Sequence, residues 1–152
     1  MVCWGLILVA GACVAEHDHG DDGHVDDHEA STDPCDGSNW RTLAPDLRAC
    51  DLTGVHLDGE SLRRANLTQA DLVGATLVGA DLFDAMLVSA HVAGADLTGV
   101  KLIGGNLTEA DLTNATLVGA NLLNATTTGA RLAGSITDAT TTCPNGTAGP
   151  CW

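Results

Sequence analysis

Two groups of residues in this chain have types and spacing that could do chemistry. The first is the stretch EHDHGDDGHVDDHE, residues 16–29, where His17, His19, His24 and His28 stand among seven acids. Imidazole nitrogens in such company can bind Zn2+, Ni2+ or Cu2+. The same stretch is too charged and too poor in apolar residues to fold. Any metal it took would therefore be held weakly, and a solvated, self-repelling spacer is the plainer reading. The second group recurs at twenty-residue intervals and would form a column if the chain coils with that period: Asp51, Asp71, His91, Asp111 and Arg131. Such a ladder could hold a cation or exchange protons. However, Asp and Asn are simply the favoured residues at this position of the repeats described below, which explains them without catalysis. No nucleophile, phosphate-binding loop or CxxC pair accompanies it. The chain is read as a non-enzyme with no cofactor.

The cysteines carry a third kind of chemistry. Residues 2–15, VCWGLILVAGACVA, have no charge and fall short of the roughly 20 apolar residues that span a bilayer. They read as the core of an export signal. LVAGAC resembles a bacterial lipobox, which implies cleavage at Cys13 and its lipidation. Cleavage near Ala12 or Ala15 is the alternative, as is a cytosolic chain with a buried apolar N-terminus. Setting aside Cys3 and Cys13 leaves Cys35, Cys50, Cys143 and Cys151, which allow three pairings. The first two flank the start of the repeats described next, and the last two follow their end. In a rod, pairs across the two ends would exceed the ~7 Å Cα separation a disulfide tolerates. Two local bridges are expected, and these require an oxidising compartment.

What must position all of this is a beat of five. From Pro45 to Gly134 the sequence divides into 18 consecutive pentads, whose central residue is leucine in sixteen, with Val92 and Thr127 the exceptions. Two places before the centre stands alanine in twelve of them. A helix would turn each five-residue step by roughly 140° and scatter the leucines around its surface. A continuous strand, of period two, would send successive leucines to opposite sides. The chain must therefore turn once per pentad. The closing position agrees, being glycine in ten pentads and asparagine at Asn114 and Asn124, the residues that tolerate positive φ in type II turns. Units this short bury an apolar side only by stacking on copies of themselves, as a solenoid.

Pentads such as ADLVG, ATLVG, ADLFD, ADLTG, ADLTN and ANLLN resemble the A(D/N)LXX motif of the pentapeptide-repeat family. The resemblance implies an all-β fold, a right-handed quadrilateral parallel β-helix with four pentads to a coil and central leucines inside. Residues 45–134 then make about four and a half coils, roughly 22 Å long at β-ladder spacing. Around them stand a signal (1–13), a disordered acidic linker (14–34), an N-terminal cap (35–44) and a C-terminal cap (135–152). Trp40 and Trp152 are expected to plug the open ends, and the repeat slips phase after Gly134.

With twenty residues per coil, Phe83, Ile103 and Leu123 stack below Arg63, and Val78, Thr98 and Val118 stack on the preceding side. An outward apolar stripe of Val78, Phe83, Ile103, Val118 and Leu123 is expected to mark an interface with a second copy or an envelope protein. Strand propensity alone is the alternative. The best-understood members of the family protect DNA gyrase from inhibitors by imitating the shape and charge of DNA, and the net charge of −14 is compatible with that. Export, the short rod and the interspersed Arg63, Arg64, Lys101 and Arg131 stand against it. The acidic balance also makes nucleic acid a poor direct ligand. The leading expectation is an exported, lipid-anchored, non-enzymatic interaction module of the bacterial envelope. DNA mimicry and weak metal binding by the tail are the alternatives, and a lipid is its only expected contact with a membrane.

Overall fold

Each pentad forms one short extended rung and one turn. The N–H that opens the next pentad donates to the carbonyl of the central residue, as Ala65 does to Leu62 (3.0 Å) and Ala75 to Leu72 (3.0 Å). The second residue inside each such turn has positive φ in all 18 pentads, from Ala49 to Gly134. Glycine supplies ten of these corners. Asn114 and Asn124 are the expected alternatives, but Ala49, Arg64, Gln69, Asp84, Ser89 and Glu109 adopt the same conformation. For these residues the left-handed region costs about 1–2 kcal/mol each. Ladder hydrogen bonds hold the corners in place: Arg64 N–H donates to Phe83 and Glu109 N–H to Thr128.

Four such turns bring the chain back onto itself. Parallel pairs link each residue before a centre to its counterpart one coil on, from Asp46 with Asn66 to Thr116 with Ile136. The result is a right-handed quadrilateral β-helix. The computed structural model describes residue 35 and residues 45–152. Cys13, His17, His19, His24, His28 and Trp40 lie outside the described residues.

We number the faces by their central residues. Face 1 carries Leu47, Leu67, Leu87, Leu107 and Thr127; face 2 Leu52, Leu72, Val92, Leu112 and Leu132; face 3 Leu57, Leu77, Leu97, Leu117 and Thr137; face 4 Leu62, Leu82, Leu102, Leu122 and Cys143. Coils 1 to 4 are residues 45–64, 65–84, 85–104 and 105–124, and coil 5 is 125–145. From Leu47 to Leu122 every central side chain is at most 1% exposed, with alanines filling the space between them.

The phase does slip after Gly134, but the helix does not stop there. Thr142 pairs with Asn121 one residue later than the twenty-residue step requires. The slip is thus one residue inserted, and the fifth coil is completed rather than left half made. Asp138 accommodates the insertion. Its Oδ1 accepts from the N–H groups of Thr140 (3.0 Å) and Thr141 (3.1 Å). It also takes the N–H of Gly119 (3.3 Å), whose counterpart Gly99 donates to a backbone carbonyl of the next coil.

Candidate interaction surfaces on the faces and at the C-terminal end

The acidic column on face 2 is structural in its contacts. Asp51, Asp71 and Asp111 each accept, through Oδ1, the N–H two residues on, at 3.0–3.1 Å. Asn66, Asp81, Asp96, Asn106 and Asn121 repeat that bond elsewhere. This N–H sits on the outside of a rung and has no ladder partner, which is why Asp or Asn precedes the central leucine. The bonds favour the ionised form. Asp111 is held below the usual carboxylate range by the Thr113 hydroxyl and N–H, then by Arg131 and His91. Arg131 Nη1 lies 3.3 Å from Asp111 Oδ2. Among the described residues no three His, Cys, Asp or Glu side chains converge to hold a metal ion.

Stacking also builds a contact that no single pentad displays. His56 Nδ1 lies 2.8 Å from Thr76 Oγ1, which donates to Asp58 Oδ2 (3.2 Å). Asp58 Oδ1 in turn accepts the N–H of Val78 (2.7 Å), from the next coil. Thr76 cannot serve Val78 as an aspartate would, and Asp58 does so from above. The twenty-residue step between His56 and Thr76 is the signal by which the sequence could have disclosed this.

The apolar column on face 4 stacks as expected, but it is not an exposed stripe. Phe83, Ile103 and Leu123 are partly buried against one another. The Arg63 guanidinium lies 4.4 Å from the Phe83 ring centroid and 3.0 Å from Asp81, closing the upper end. At the lower end Leu123 lies beside Gly146, where an added methyl group would meet its Cδ1 at 3.3 Å. Asp81, Lys101 and Asn121 form a polar column between it and face 3. The large apolar side chains that are exposed lie elsewhere: Val73 on face 2, Met86 on face 1, and Val78 (40%) and Ile136 (53%) on face 3. Val118 is partly buried beneath them.

Face 3 differs from the others in its borders. The corner preceding it carries Gly54, Gly74, Gly94, Asn114 and Gly134, and the corner following it Gly59, Gly79, Gly99 and Gly119. Nothing but backbone stands at eight of these nine positions. Face 1, by contrast, is fenced by Gln69, Ser89 and Glu109 on one corner and by Arg64, Asp84 and Asn124 on the other. The middle rows of face 3 are Thr76 and Val78, Asp96 and Thr98, and Thr116 and Val118. Asp96 is turned onto the N–H (3.0 Å) and hydroxyl (2.6 Å) of Thr98. Between Asp58 and Asp138 near its two ends, the face is thus weakly charged and open from both sides.

Disulfides close locally near both ends: Cys35 with Cys50 (Cα separation 5.4 Å) and Cys143 with Cys151 (5.3 Å). Over the C-terminal end runs a hairpin in which Thr142 pairs antiparallel with Ala148. Gly149 N–H reaches Thr141 C=O at 3.0 Å. Trp152 donates from its indole to Ser135 Oγ (2.7 Å). At 46% exposed its ring is no plug, and the backbone of the hairpin does the covering.

The pattern that these contacts explain is matched by the family model for pentapeptide repeats, in 8 copies over residues 46–84, 92–126 and 105–136. Among solved structures, a pentapeptide repeat protein from the thylakoid lumen of Arabidopsis thaliana is 37% identical over 62% of this chain and 64% of its own, with a TM-score of 0.59. The alignment thus spans less than two thirds of that protein. A pentapeptide repeat protein from Nostoc Pcc 7120 is 32% identical over 60% of this chain and 76% of its own, with a TM-score of 0.54. A trypsin-treated form of QnrB1, a plasmid-mediated fluoroquinolone resistance protein, shares the fold (TM-score 0.55) at 17% identity over 66% of this chain and 63% of its own. No curated protein sequence matches. With its turns, its inward leucines and its aspartate caps each accounted for, this chain belongs to the pentapeptide-repeat family.

Proposed function

We propose that the chain is a non-enzymatic protein-interaction rod of an oxidising, extracytoplasmic compartment, and that it binds a flat partner surface through face 3 and the glycine corner that face shares with face 4. The observation that carries this reading is the pair of bare corners around a threonine- and valine-rich face. A partner's surface can lie across it without displacing side chains. The exposed Val78 and Ile136 supply apolar anchors, and Thr98, Thr116 and Val118 extend the contact along the rod. Phe83 and Ile103 would join from face 4 once Arg63 swings aside.

The compartment follows from chemistry at the ends. Two local disulfides persist only where thiols are not kept reduced, and the uncharged segment 2–15 has the character of an export signal. The relative from a thylakoid lumen supports the same reading. Lipid attachment at Cys13 would tether the rod, with the acidic segment 14–34 as spacer. Nothing favours DNA mimicry to the same degree: the likeness to QnrB1 concerns the fold alone, and most acids on the rod are tied to their own backbone.

Fractionation and mass determination of the mature protein test the compartment. An unprocessed cytosolic chain would sink it, and a mass matching a lipidated Cys13 would support the anchor. Introduction of charge tests the surface: Val78→Asp with Val118→Asp should abolish crosslinking of the rod to its neighbours in intact cells, while Met86→Asp on face 1 should not. Equal crosslinking in all variants would remove face 3 from consideration. Metal titration of a peptide spanning 16–29 decides the tail; binding no tighter than millimolar would leave it a spacer.

A further inference from the structure

The C-terminal end of the rod is covered unevenly. On face 4 the fifth coil pairs normally, with Asn124 N–H donating to Pro144 C=O at 2.9 Å. The chain then turns back, Gly146 N–H bonding to Cys143 C=O and Cys143 N–H to Thr147 C=O, instead of continuing beneath face 1. A cleft of about 430 Å³ lies there, lined by Thr127, Pro144, Asn145, Pro150, Cys151 and Trp152 among others. In coil 4 the equivalent groups are all used: Leu107 N–H donates to Thr126, Glu109 N–H to Thr128, and Gly105 C=O accepts from Thr126. In coil 5 the N–H groups of Thr127 and Gly129 and the carbonyl of Ala125 have no protein partner among the described residues. Thr127 also replaces the leucine of the other face 1 centres, which leaves the side facing the cleft shorter and more polar.

We propose that this cleft receives an extended, uncharged segment of a partner protein, added as one further rung beneath face 1. Two donors and one acceptor on the edge of a parallel ladder are what an extended backbone can satisfy. No charged side chain lines the cleft, so a buried charge on the segment would go unpaired. Pro150 and Trp152 offer an apolar wall to one aliphatic side chain near its middle. A second copy docked end to end fits less well. The hairpin stands one rung beyond the coil on face 4, and two such hairpins would meet before the edges could pair. The site is separate from face 3, and neither reading depends on the other.

The probe is a synthetic ten-residue peptide with the sequence of residues 115–124, ATLVGANLLN, which is uncharged and has the pentad spacing. It is titrated to millimolar concentration into the isotopically labelled full chain with both disulfides intact. Saturable shifts of the Thr127 and Gly129 amides and the Trp152 indole are expected, with hydrogen exchange at both amides slowed at least about tenfold. Thr127→Pro removes a donor that no native bond uses and should abolish these shifts. Should that variant misfold, Trp152→Ala decides instead, with an expected loss of affinity of about fivefold or more. No shifts at millimolar peptide, or shifts confined to other faces, would overturn the proposal. So would a dimer of the peptide-free chain, seen by light scattering, that Trp152→Ala dissolves; the edge would then belong to a second copy.

Discussion

At the scale of single residues, the aspartates before the central leucines act as caps for one backbone N–H each. Asp111→Ala leaves the Thr113 N–H without its acceptor and should cost about 0.5–1.5 kcal/mol in urea unfolding. Asp111→Asn keeps an acceptor and should cost less. The exposed Arg131 partner contributes little by comparison, about 0–1 kcal/mol, so Arg131→Ala should be the mildest of the three. The same bonds set a pH dependence. The Thr53 contacts lower the pKa of Asp51, and the Thr113 contacts that of Asp111. Around Asp81 burial opposes ionisation, but Arg63 and the Phe83 N–H outweigh it. In each case the folded pKa is depressed, so on acidification the unfolded chain takes up protons first. This stabilisation is complete well above the unfolded value near 4 and is lost as pH falls through the folded values. The melting temperature should be flat between about pH 7 and 5 and drop below about 4. A melting temperature unchanged down to pH 2 would remove these carboxylates from the account of stability.

At the scale of the pentad, corners of identical backbone have different neighbours. A methyl group at Gly104 would meet the carboxylate of Asp84, stacked one coil above, whereas one at Gly74 meets nothing within 4 Å. Both have positive φ. Gly104→Ala should therefore cost about 1–3 kcal/mol. Gly74→Ala, in the same conformation but with no neighbour to meet, should cost less, about 1 kcal/mol for the conformation alone. Comparable midpoints for the two in urea would show that the corner conformation, and not stacking, sets the cost. The need for a turn every five residues was legible from the beat of leucines, with glycine at ten closing positions in agreement. That Arg64, Gln69 or Glu109 would adopt the same conformation was not, since their own preferences oppose it and only the ladder on either side imposes it.

For the whole molecule, a solenoid is stabilised by contacts between adjacent coils, so its ends open first. The four leucines of coil 1 are at most 1% exposed, while Thr127, Ala130, Leu132 and Thr137 of coil 5 are partly exposed. Paired Cys143→Ser and Cys151→Ser should release the hairpin and raise hydrogen exchange in coil 5 several-fold, leaving coil 3 unchanged. Uniformly faster exchange would mean that the end is coupled to the entire rod. Leu87→Ala, in the middle coil, should cost about 2–5 kcal/mol, and Leu132→Ala at the less covered end should cost less.

The sequence by itself determined the turn at every fifth residue and the inward leucines and alanines, while the twenty-residue columns came from its resemblance to the pentapeptide-repeat family. The turn and the inward set follow from a repeat short enough to be read within a few residues. Only the tertiary structure decided which columns face solvent. Phe83, Ile103 and Leu123 occupy outward positions, yet they cover one another and are closed off by Arg63 and by the hairpin. Face 3 lies open because two separate corners happen to be glycine. The insertion at Asp138 and the uneven cover of coil 5 were decided there as well. Exposure is a property of neighbours in space, and those neighbours lie a full coil away along the chain.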